Sequence, residues 1–219
     1  MSTLLRITRA ACAASLILTC AGAHAQDWTL ALSWKLGECV GGDGAQTCTA
    51  GQLPSERRAA DGTPIRITAI GLYTPRRDCD TTPLPDGTLS DDAAPYIAPA
   101  SADAFQQHWN RYGSCTGYAP AGYAAELAAM ARAVGRTNLG RYLGEHDNKV
   151  VRLDELKNAQ LRDFFIGADK SVQFLCTSEG RLAEVRYRLR DWSDVFVYRD
   201  KGGMLVAAPG GNCGDEVRL

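Results

Sequence analysis

The sequence predicts an α+β fold with a mainly antiparallel central sheet flanked by helices. Strand-like patterns lie towards both ends of the 219-residue chain, whereas helix-like patterns occupy its middle. A hydrophobic share of 45% and a charged share of 22% are typical of an ordinary globular protein. No repeat or interdomain linker divides the chain, so we expect a single domain over residues 26–219.

Alternation of large apolar residues with small or polar ones predicts the strands. In the first strand, Trp28, Leu30, Leu32 and Trp34 fall on one face. The predicted strands cover residues 28–34, 65–73, 172–176, 182–189, 195–198 and 204–207. The third and fourth of these form a hairpin around the turn at residues 177–180, and the last two form a second pair.

Apolar residues at helical spacing predict three helices, at residues 101–112, 121–134 and 153–165. Ser101 is the expected N-cap of the first helix, and Gly113 is expected to end it. Residues 81–101 contain four of the nine prolines, and we expect a loop there because proline interrupts both helices and strands.

The first 25 residues have the features of a secretory signal peptide. Arg6 and Arg9 precede an apolar stretch over residues 10–19, and a small-x-small cleavage site ends at Ala25. We therefore expect cleavage after Ala25 and a periplasmic or secreted mature protein. No later stretch contains the roughly 20 apolar residues that a membrane-spanning helix needs, so no membrane partner is expected.

Loss of the leader changes the charge and the cysteine count. Arg6 and Arg9 leave with it, so 22 of the 24 basic residues remain against 25 acidic ones, a net charge of −3. That balance argues against a broad electrostatic affinity for nucleic acid or anionic membranes. Six of the eight cysteines remain, and they are Cys39, Cys48, Cys79, Cys115, Cys176 and Cys213.

Six cysteines in an exported chain indicate three disulfides. Sequence alone permits 15 pairings among six cysteines. The order along the chain suggests that Cys39 and Cys48 close a short glycine-rich loop. No CxxC or HxxxH spacing occurs in the chain, so we expect neither a metal site nor a cofactor.

Four stretches of the chain together carry a family resemblance. They are residues 30–39, 67–73, 107–115 and 175–186. The second, Ile67-Thr68-Ala69-Ile70-Gly71-Leu72-Tyr73, is similar to an active-site segment that usually reads I-H-G-L-W-P. The third, Gln107-His108-Trp109-Asn110-Arg111-Tyr112-Gly113-Ser114-Cys115, is similar to one that usually reads H-E-W-x-K-H-G-T-C. The fourth has a cysteine followed by L-x-E-V.

The chain therefore resembles the ribonuclease T2 family of secreted acid endoribonucleases, over nearly all of its mature length. The resemblance implies a ribonuclease-T2-like fold. It also implies two of the disulfide pairings, Cys79 with Cys115 and Cys176 with Cys213.

The chain departs from that family at the residues to which its catalysis is attributed. The family's three histidine positions hold Ile70, Gln107 and Tyr112. Its glutamate position holds His108, and its lysine position holds Arg111. All three histidine positions have therefore lost the imidazole.

Cleavage of RNA by transphosphorylation needs a base for the 2′-hydroxyl, an acid for the 5′-oxygen and a cation near the phosphorane. Imidazole suits both proton transfers because its unperturbed pKa is about 6.5. Ile70 transfers no proton, Gln107 does not titrate, and Tyr112 has an unperturbed pKa of about 10. Each lost proton transfer lowers the rate by about 10²–10⁴-fold. These residues predict a degenerate site that is inactive or very weak.

His108 and Arg111 are the residual catalytic candidates. With Gln107 and Tyr112 they lie at i, i+1, i+4 and i+5, so all four share one helix face. There His108 would lie beside the scissile phosphate, and Arg111 would bind that phosphate. The structural alternatives are a partly exposed histidine without a role and a cation that stabilises the helix C-terminus. We expect the site to be filled by Ile70 and Tyr112 rather than open.

Three aromatic residues are candidates for substrate binding, Trp34, Tyr73 and Trp109, with core packing as the alternative for the tryptophans. The first functional hypothesis is an exported, monomeric ribonuclease-T2-like protein with a disabled site that retains an RNA or nucleotide groove. The second is an endoribonuclease that still cleaves RNA through His108 and Arg111. The third, favoured by the net charge of −3, is a protein-interaction module on the same scaffold, whose partner the sequence does not identify.

Overall fold

A computed structural model describes most of the chain. The described residues are 28–35, 38–40, 47–49, 57–74, 76, 78–98, 102–161, 168–189, 207–208 and 210–219. The predicted leader, residues 1–25, and the predicted N-cap Ser101 lie outside this part of the chain. Most of the last predicted strand pair, 195–198 and 204–207, also lies outside it. For these segments the sequence-based expectations stay predictions.

The described residues form eight strands and four α-helices, which confirms the predicted α+β class. The strands are β1 (Trp28–Trp34), β2 (Glu38–Val40), β3 (Thr47–Thr49), β4 (Ile67–Tyr73), β5 (Val150–Arg152), β6 (Val172–Cys176), β7 (Leu182–Leu189) and β8 (Glu216–Arg218). The helices are α1 (Ala102–Arg111), α2 (Pro120–Gly135), α3 (Asn138–Glu145) and α4 (Leu153–Leu161).

The central sheet has four strands in the order β4-β1-β7-β6, and every neighbouring pair is antiparallel. Strands β2 and β3 form one further antiparallel pair, and β5 and β8 form another. The predicted hairpin between β6 and β7 is confirmed. At its turn the Gly180 N–H donates to the Thr177 carbonyl over 2.9 Å, and Gly180 adopts a left-handed φ of +73° that suits glycine.

The two faces of the central sheet differ in chemistry. Side chains alternate along each strand, so Leu30 lies between Leu72 and Tyr187 on the face that carries the hydrophobic core and packs against α2. The opposite face holds mostly small or polar residues, and we call it the polar sheet face. It consists of Thr29, Ala31, Ser33, Thr68, Gly71, Tyr73, Gln173, Leu175, Glu184, Arg186 and Arg188.

Strand β4 is at the edge of the central sheet, and backbone groups on its outer side have partners. The Leu72 N–H donates to the Tyr123 hydroxyl of α2 over 3.0 Å. The Ala69 carbonyl accepts from the Ala98 N–H over 2.8 Å. Satisfied edge groups cannot template the addition of another strand, and the first of these bonds fixes α2 against the sheet.

Two helices differ from the sequence prediction, and the short strands β2, β3, β5 and β8 were not predicted. Helix α3 was not predicted. It begins after Thr137, whose hydroxyl accepts from the Gly140 N–H over 3.1 Å and caps the helix. The third predicted helix, 153–165, is observed as α4 up to Leu161, and residues 162–167 lie outside the described part of the chain.

Two disulfides are present among the described residues, and they are Cys79–Cys115 and Cys176–Cys213. Their Cα atoms are 5.1 and 5.0 Å apart, and both pairings implied by the family resemblance are confirmed. The backbones of Cys39 and Cys48 are register partners across the β2–β3 pair. Residues opposed in this way are within reach of a disulfide, and that third bridge stays a prediction.

Candidate functional site

A buried ion pair lies on the polar sheet face. Glu184 and Arg186 are two residues apart on β7, so both project from the same side of the sheet. The Arg186 guanidinium donates from Nε and Nη2 to the two carboxylate oxygens of Glu184, over 3.1 Å for the Nη2 bond. Glu184 is fully buried, and Arg186 is 7% exposed. Burial raises the pKa of the Glu184 carboxyl, and the Arg186 charge opposes that rise.

Tyr73, a candidate for substrate binding, lies between this ion pair and α1. The Arg186 guanidinium is 5.4 Å from the centre of the Tyr73 ring. The Tyr112 ring packs edge-on against Tyr73 at a centroid distance of 4.8 Å. Burial, and then the nearby Glu184 carboxylate, raises the pKa of the Tyr73 phenol above its usual range. Tyr73 is therefore a neutral ring, and Arg186 already covers one of its faces.

The imidazole of His108 lies directly on the backbone of Gly71. A Cβ atom at residue 71 would come within 1.8 Å of the His108 Nε2 atom. Any residue larger than glycine at this position would therefore displace the ring. Glycine in the strand interior here permits the close approach of α1 to β4.

A tyrosine hydroxyl holds the imidazole in place. His108 Nε2 and Tyr123 Oη are 2.9 Å apart, and the same oxygen accepts a hydrogen bond from the Leu72 N–H. Because the oxygen already accepts from Leu72, its own hydrogen is free to donate to Nε2 of a neutral imidazole. The same oxygen has a second lone pair and can instead accept from an Nε2–H, so the contact engages Nε2 in either tautomer of the ring.

Aromatic rings enclose His108 and determine its protonation. The centroids of Tyr73, Tyr112 and Tyr123 lie 5.4, 5.3 and 6.2 Å from that of His108. The residue is half-buried, and these rings shield it on several sides. Burial lowers the pKa of His108 to about 4. The imidazole is therefore neutral at pH 5 to 7, with Nε2 already hydrogen-bonded.

The four residues predicted to share a helix face have different environments. His108 and Tyr112 pack into the aromatic cluster, and Tyr112 is only 7% exposed. Arg111 is exposed, and its guanidinium lies 5.4 Å from the centre of the Tyr112 ring. Gln107 is also exposed. The structure thus brings together one imidazole and several tyrosines, with the exposed guanidinium of Arg111 beside them.

Ile70, at the family's first histidine position, lies on a β-bulge. Ala31 pairs with Gly71 and Leu32 pairs with Ala69, so Ile70 has no register partner in β1. A bulge changes the direction of the extra residue's side chain and is often found beside an active site. The Ile70 side chain is half-buried. The His108 ring occupies the space next to Gly71, and the rings of Tyr73 and Tyr112 pack against it.

The two tryptophans considered for substrate binding require a correction. Trp34 is 2% exposed and Trp109 is 3% exposed. Trp109 packs against Tyr123 at a centroid distance of 5.6 Å. Neither indole presents an open face on which a nucleotide base could stack, so both are removed from the set of base-stacking candidates. Both lie in the hydrophobic core, as the alternative interpretation of these residues proposed.

Two residues of the site were missed by the sequence analysis. Arg186 is one, although a glutamate and an arginine spaced by two in an apolar strand already indicate a shared face. Tyr123 is the other, and it lies in an alanine-rich helix that gives no local signal of a polar contact. Its role depends on the position of β4, which is distant in sequence.

The described part of the chain contains no group of three histidine, cysteine, aspartate or glutamate side chains placed to hold a metal ion. Its one fully buried carboxylate on the polar sheet face, Glu184, is bound by Arg186 instead. Within the same residues, no helix has both the length and the apolar character needed to cross a membrane.

Several solved ribonuclease structures resemble this one. Trichomaglin, described as a novel S-like ribonuclease, superposes with a TM-score of 0.55 at 12% identity, covering 89% of this chain and 97% of that one. Ribonuclease MC1 from bitter gourd seeds gives a TM-score of 0.53 at 14% identity, with coverages of 89% and 100%. The self-incompatibility-associated SF11-RNase of Nicotiana alata gives 0.52 at 14% identity, with coverages of 88% and 97%.

These neighbours are ribonucleases of the T2 type, and they match almost over their whole lengths. No family model matches the chain, and no curated protein matches its sequence. At identities of 12–14% the likeness shows the fold. The protein therefore has the fold of the T2-type ribonucleases, as its sequence resemblance implied.

Proposed function

We propose that this protein is an exported, monomeric ribonuclease-T2-like protein with a disabled catalytic site, which binds RNA or nucleotides without efficient turnover. The observation that carries the proposal is the state of His108. Only His108 and His146 follow residue 25, and His146 stacks on Tyr142 at 4.0 Å, at the end of α3. His108 is therefore the one imidazole in the candidate site.

A neutral His108 is poorly suited to either proton transfer. With a pKa lowered to about 4 it carries no proton to donate to a leaving 5′-oxygen at pH 5 to 7. For Nε2 to act as a base, its contact with the Tyr123 hydroxyl would first have to break. Ile70, Gln107 and Tyr112 provide no substitute imidazole.

The candidate site also offers little positive charge to a phosphate group. Arg186 is neutralised by Glu184, so it offers little net charge to a phosphorane. Arg111 is exposed and is the candidate for a phosphate contact. One guanidinium is enough to bind a phosphate group, but without a proton-transfer pair it leaves the reaction slow.

Nucleotide binding is supported by the neighbours in fold. RNase NT is described in complex with 5′-AMP, and a variant of ribonuclease MC1 in complex with 5′-GMP. Export is supported by the two disulfides, which persist in oxidising compartments. The signal-peptide pattern of residues 1–25 points the same way.

The direct test is incubation of purified mature protein, residues 26–219, with RNA at pH 5 to 7. We expect no accumulation of 2′,3′-cyclic phosphate ends above a buffer control. A separate titration with 5′-AMP at low salt is expected to show saturable binding that Arg111→Gln weakens and Arg218→Gln leaves unchanged. Robust turnover that His108→Ala abolishes would contradict the proposal.

A gain-of-function experiment tests the cause of inactivity. Ile70→His combined with Gln107→His returns two imidazoles to the positions that the family resemblance assigns to histidine. Each restored proton transfer is worth about 10²–10⁴-fold, so measurable cleavage is expected. The control is Ile70→Gln combined with Gln107→His, which restores only one imidazole. A folded double-histidine variant without cleavage would show that more than the missing imidazoles disables the site.

Two other functions make different predictions. A slow endoribonuclease is favoured by the exposed Arg111 beside Tyr112, and it requires that Arg111→Ala lower a measurable rate. If neither the wild type nor Arg111→Ala cleaves RNA above background, the slow endoribonuclease is excluded. A protein-interaction module is favoured by the net charge of −3, and it requires no binding of RNA or nucleotide at low salt. Saturable, strongly salt-dependent RNA binding excludes that alternative.

A further inference from the structure

A cavity of about 460 Å³ is lined by residues of α2 and α3 and by the segment that leads into β4. Its charged lining consists of Arg66, Arg132, Arg136, Arg141, Asp61 and Glu145. Four guanidiniums against two carboxylates give this lining a net charge of +2, whereas the whole chain has a net charge of −1. We call it the arginine cavity.

The arginine cavity is separate from the polar sheet face. Trp34 lines the cavity, and its neighbour Ser33 belongs to the polar sheet face. Adjacent residues in a strand project to opposite sides of a sheet. The cavity and the candidate ribonuclease site are therefore on opposite sides of β1, and a ligand in one does not contact the other.

The guanidiniums of the arginine cavity are only partly engaged. Arg132 donates to the Asp92 carbonyl over 3.2 Å, and Arg66 donates to Asp147 over 3.0 Å. Within the described part of the chain, the Arg136 side chain has no hydrogen bond, ion pair or ring contact. A guanidinium has five N–H donors, so these side chains retain capacity for an anion.

The indole of Trp34 is an unsatisfied polar group beside the arginine cavity. Its Nε1–H is buried and has no hydrogen-bond partner among the described residues. A buried indole N–H is usually satisfied, since an unpaired buried donor is costly. Trp34 lines the arginine cavity, but its Nε1 atom is buried beneath the lining, so the proposal below does not depend on a contact between a ligand and this N–H.

We propose that the arginine cavity binds a small phosphate ester. Guanidiniums match the geometry of phosphate oxygens and bind them in a bidentate manner. Arg136, with Arg132 and Arg141 at its flanks, holds the phosphate group, and the apolar lining at Ile65 and Ala131 receives the ester group. The cavity volume is within the range of small-molecule sites.

Calorimetric titration of the mature protein, residues 26–219, tests the proposal with three probes. Phenyl phosphate has both a phosphate and an apolar ester group, whereas inorganic phosphate has no ester group. Citrate is an anion without phosphorus. We expect both phosphates to bind, phenyl phosphate more tightly, and citrate to bind at least about tenfold more weakly. Because Arg111 in the candidate ribonuclease site is also proposed to bind phosphate, the titrations are repeated with Arg111→Gln, which is expected to leave binding at the arginine cavity unchanged.

Two arginine variants and one tryptophan variant locate the binding. Arg136→Gln is expected to weaken phosphate binding about tenfold, because it removes a charged hydrogen-bond donor. Arg218→Gln, the same change at an exposed residue of β8 outside the cavity, is expected to leave it unchanged. In ¹⁵N spectra, the indole signal that Trp34→Phe removes is expected to shift when phenyl phosphate is added.

The outcomes that overturn the proposal are distinct. Absence of binding by both phosphates overturns it. Binding that Arg136→Gln leaves unchanged, or that Arg218→Gln weakens equally, also overturns it because the site would then lie elsewhere. Citrate that binds as tightly as phenyl phosphate rejects the phosphate assignment. Equal affinity for the two phosphates supports the site and assigns recognition to the phosphate group alone.

Discussion

The polar sheet face and the arginine cavity contain similar chemical groups in opposite states. On the polar sheet face, Arg186 is bound by Glu184 and His108 is hydrogen-bonded to Tyr123. In the arginine cavity, the exposed Arg136 side chain has no partner among the described residues. A charged group with a partner stabilises the fold, whereas an exposed guanidinium without one is available to a ligand. The family resemblance points to the first region, and the unpaired guanidinium points to the second.

The largest effect is expected from Glu184→Ala, because it leaves the Arg186 charge buried without a partner. Breaking one side of a buried ion pair lowers the free energy of unfolding by about 3–5 kcal/mol. Chemical denaturation of wild type and Glu184→Ala measures this loss of stability. The matched control is Glu179→Ala, which removes an exposed glutamate from its ion pair with Arg181 and is expected to change stability by less than about 1 kcal/mol. A loss that small for Glu184→Ala would mean that water reaches the polar sheet face.

The second prediction concerns pH. The pKa of His108 is about 4 in the folded protein and 6.5 in an unfolded chain, so folding favours the neutral ring. The stability that this gives is complete above pH 6.5 and is lost as the pH falls towards 4, by at most about 3 kcal/mol.

The measurement compares wild type with His108→Gln from pH 7 to pH 4, because the difference cancels the other titrating groups. The wild type is expected to lose more stability on acidification than the variant. Parallel pH profiles would show that the imidazole is hydrated and free to protonate, which would return His108 to the set of acid catalysts.

The third prediction concerns the contact between α1 and β4. Gly71→Ala places a methyl group on the His108 ring and is expected to lower the free energy of unfolding by about 1–3 kcal/mol. Adding His108→Ala to Gly71→Ala is expected to recover part of this loss, since it removes the clashing ring. Gly135→Ala, where a Cβ meets nothing within 4 Å, is the control and is expected to be neutral or stabilising. Additive effects in the double variant would refute the contact.

The smallest change in the free energy of unfolding is expected for Arg136→Gln in the arginine cavity. Arg136→Gln removes an exposed charge without a partner among the described residues, so the free energy of unfolding should change by less than about 0.5 kcal/mol. Thermal unfolding without added anion measures this. A clearly destabilised Arg136→Gln variant would assign Arg136 to the fold and remove the contrast between the two regions.

The central sheet was predictable because its strands have local signals. The alternation at Trp28, Leu30 and Leu32 and the hairpin at residues 177–180 both appear as predicted. The β5–β8 pair was not predictable in this way, since each strand has three residues and the pair joins residues far apart in sequence. Such pairing depends on the tertiary fold and leaves no periodic pattern.

The candidate site was predictable as a location but not as an environment. The resemblance pointed to Ile70 on β4 and His108 on α1, and these two elements approach each other where the His108 ring meets Gly71. It could not show that the His108 ring lies against the Gly71 backbone or that the Tyr123 hydroxyl is hydrogen-bonded to Nε2. Both contacts join segments distant in sequence. Those contacts determine the protonation of the imidazole and therefore its chemistry.

The disulfide between Cys79 and Cys115 makes the candidate site dependent on how the protein is produced. It closes a loop with a sequence separation of 36 that contains α1, and next to it the Asp78 N–H donates to the Arg111 carbonyl at the end of that helix over 3.1 Å. Such a bridge is worth about 4 kcal/mol in the chain-entropy model. Material made in a reducing cytoplasm would keep the sheet pattern but lose this tether on α1. Recombinant protein for any of these assays should therefore be folded under oxidising conditions, and its free thiols should be counted first.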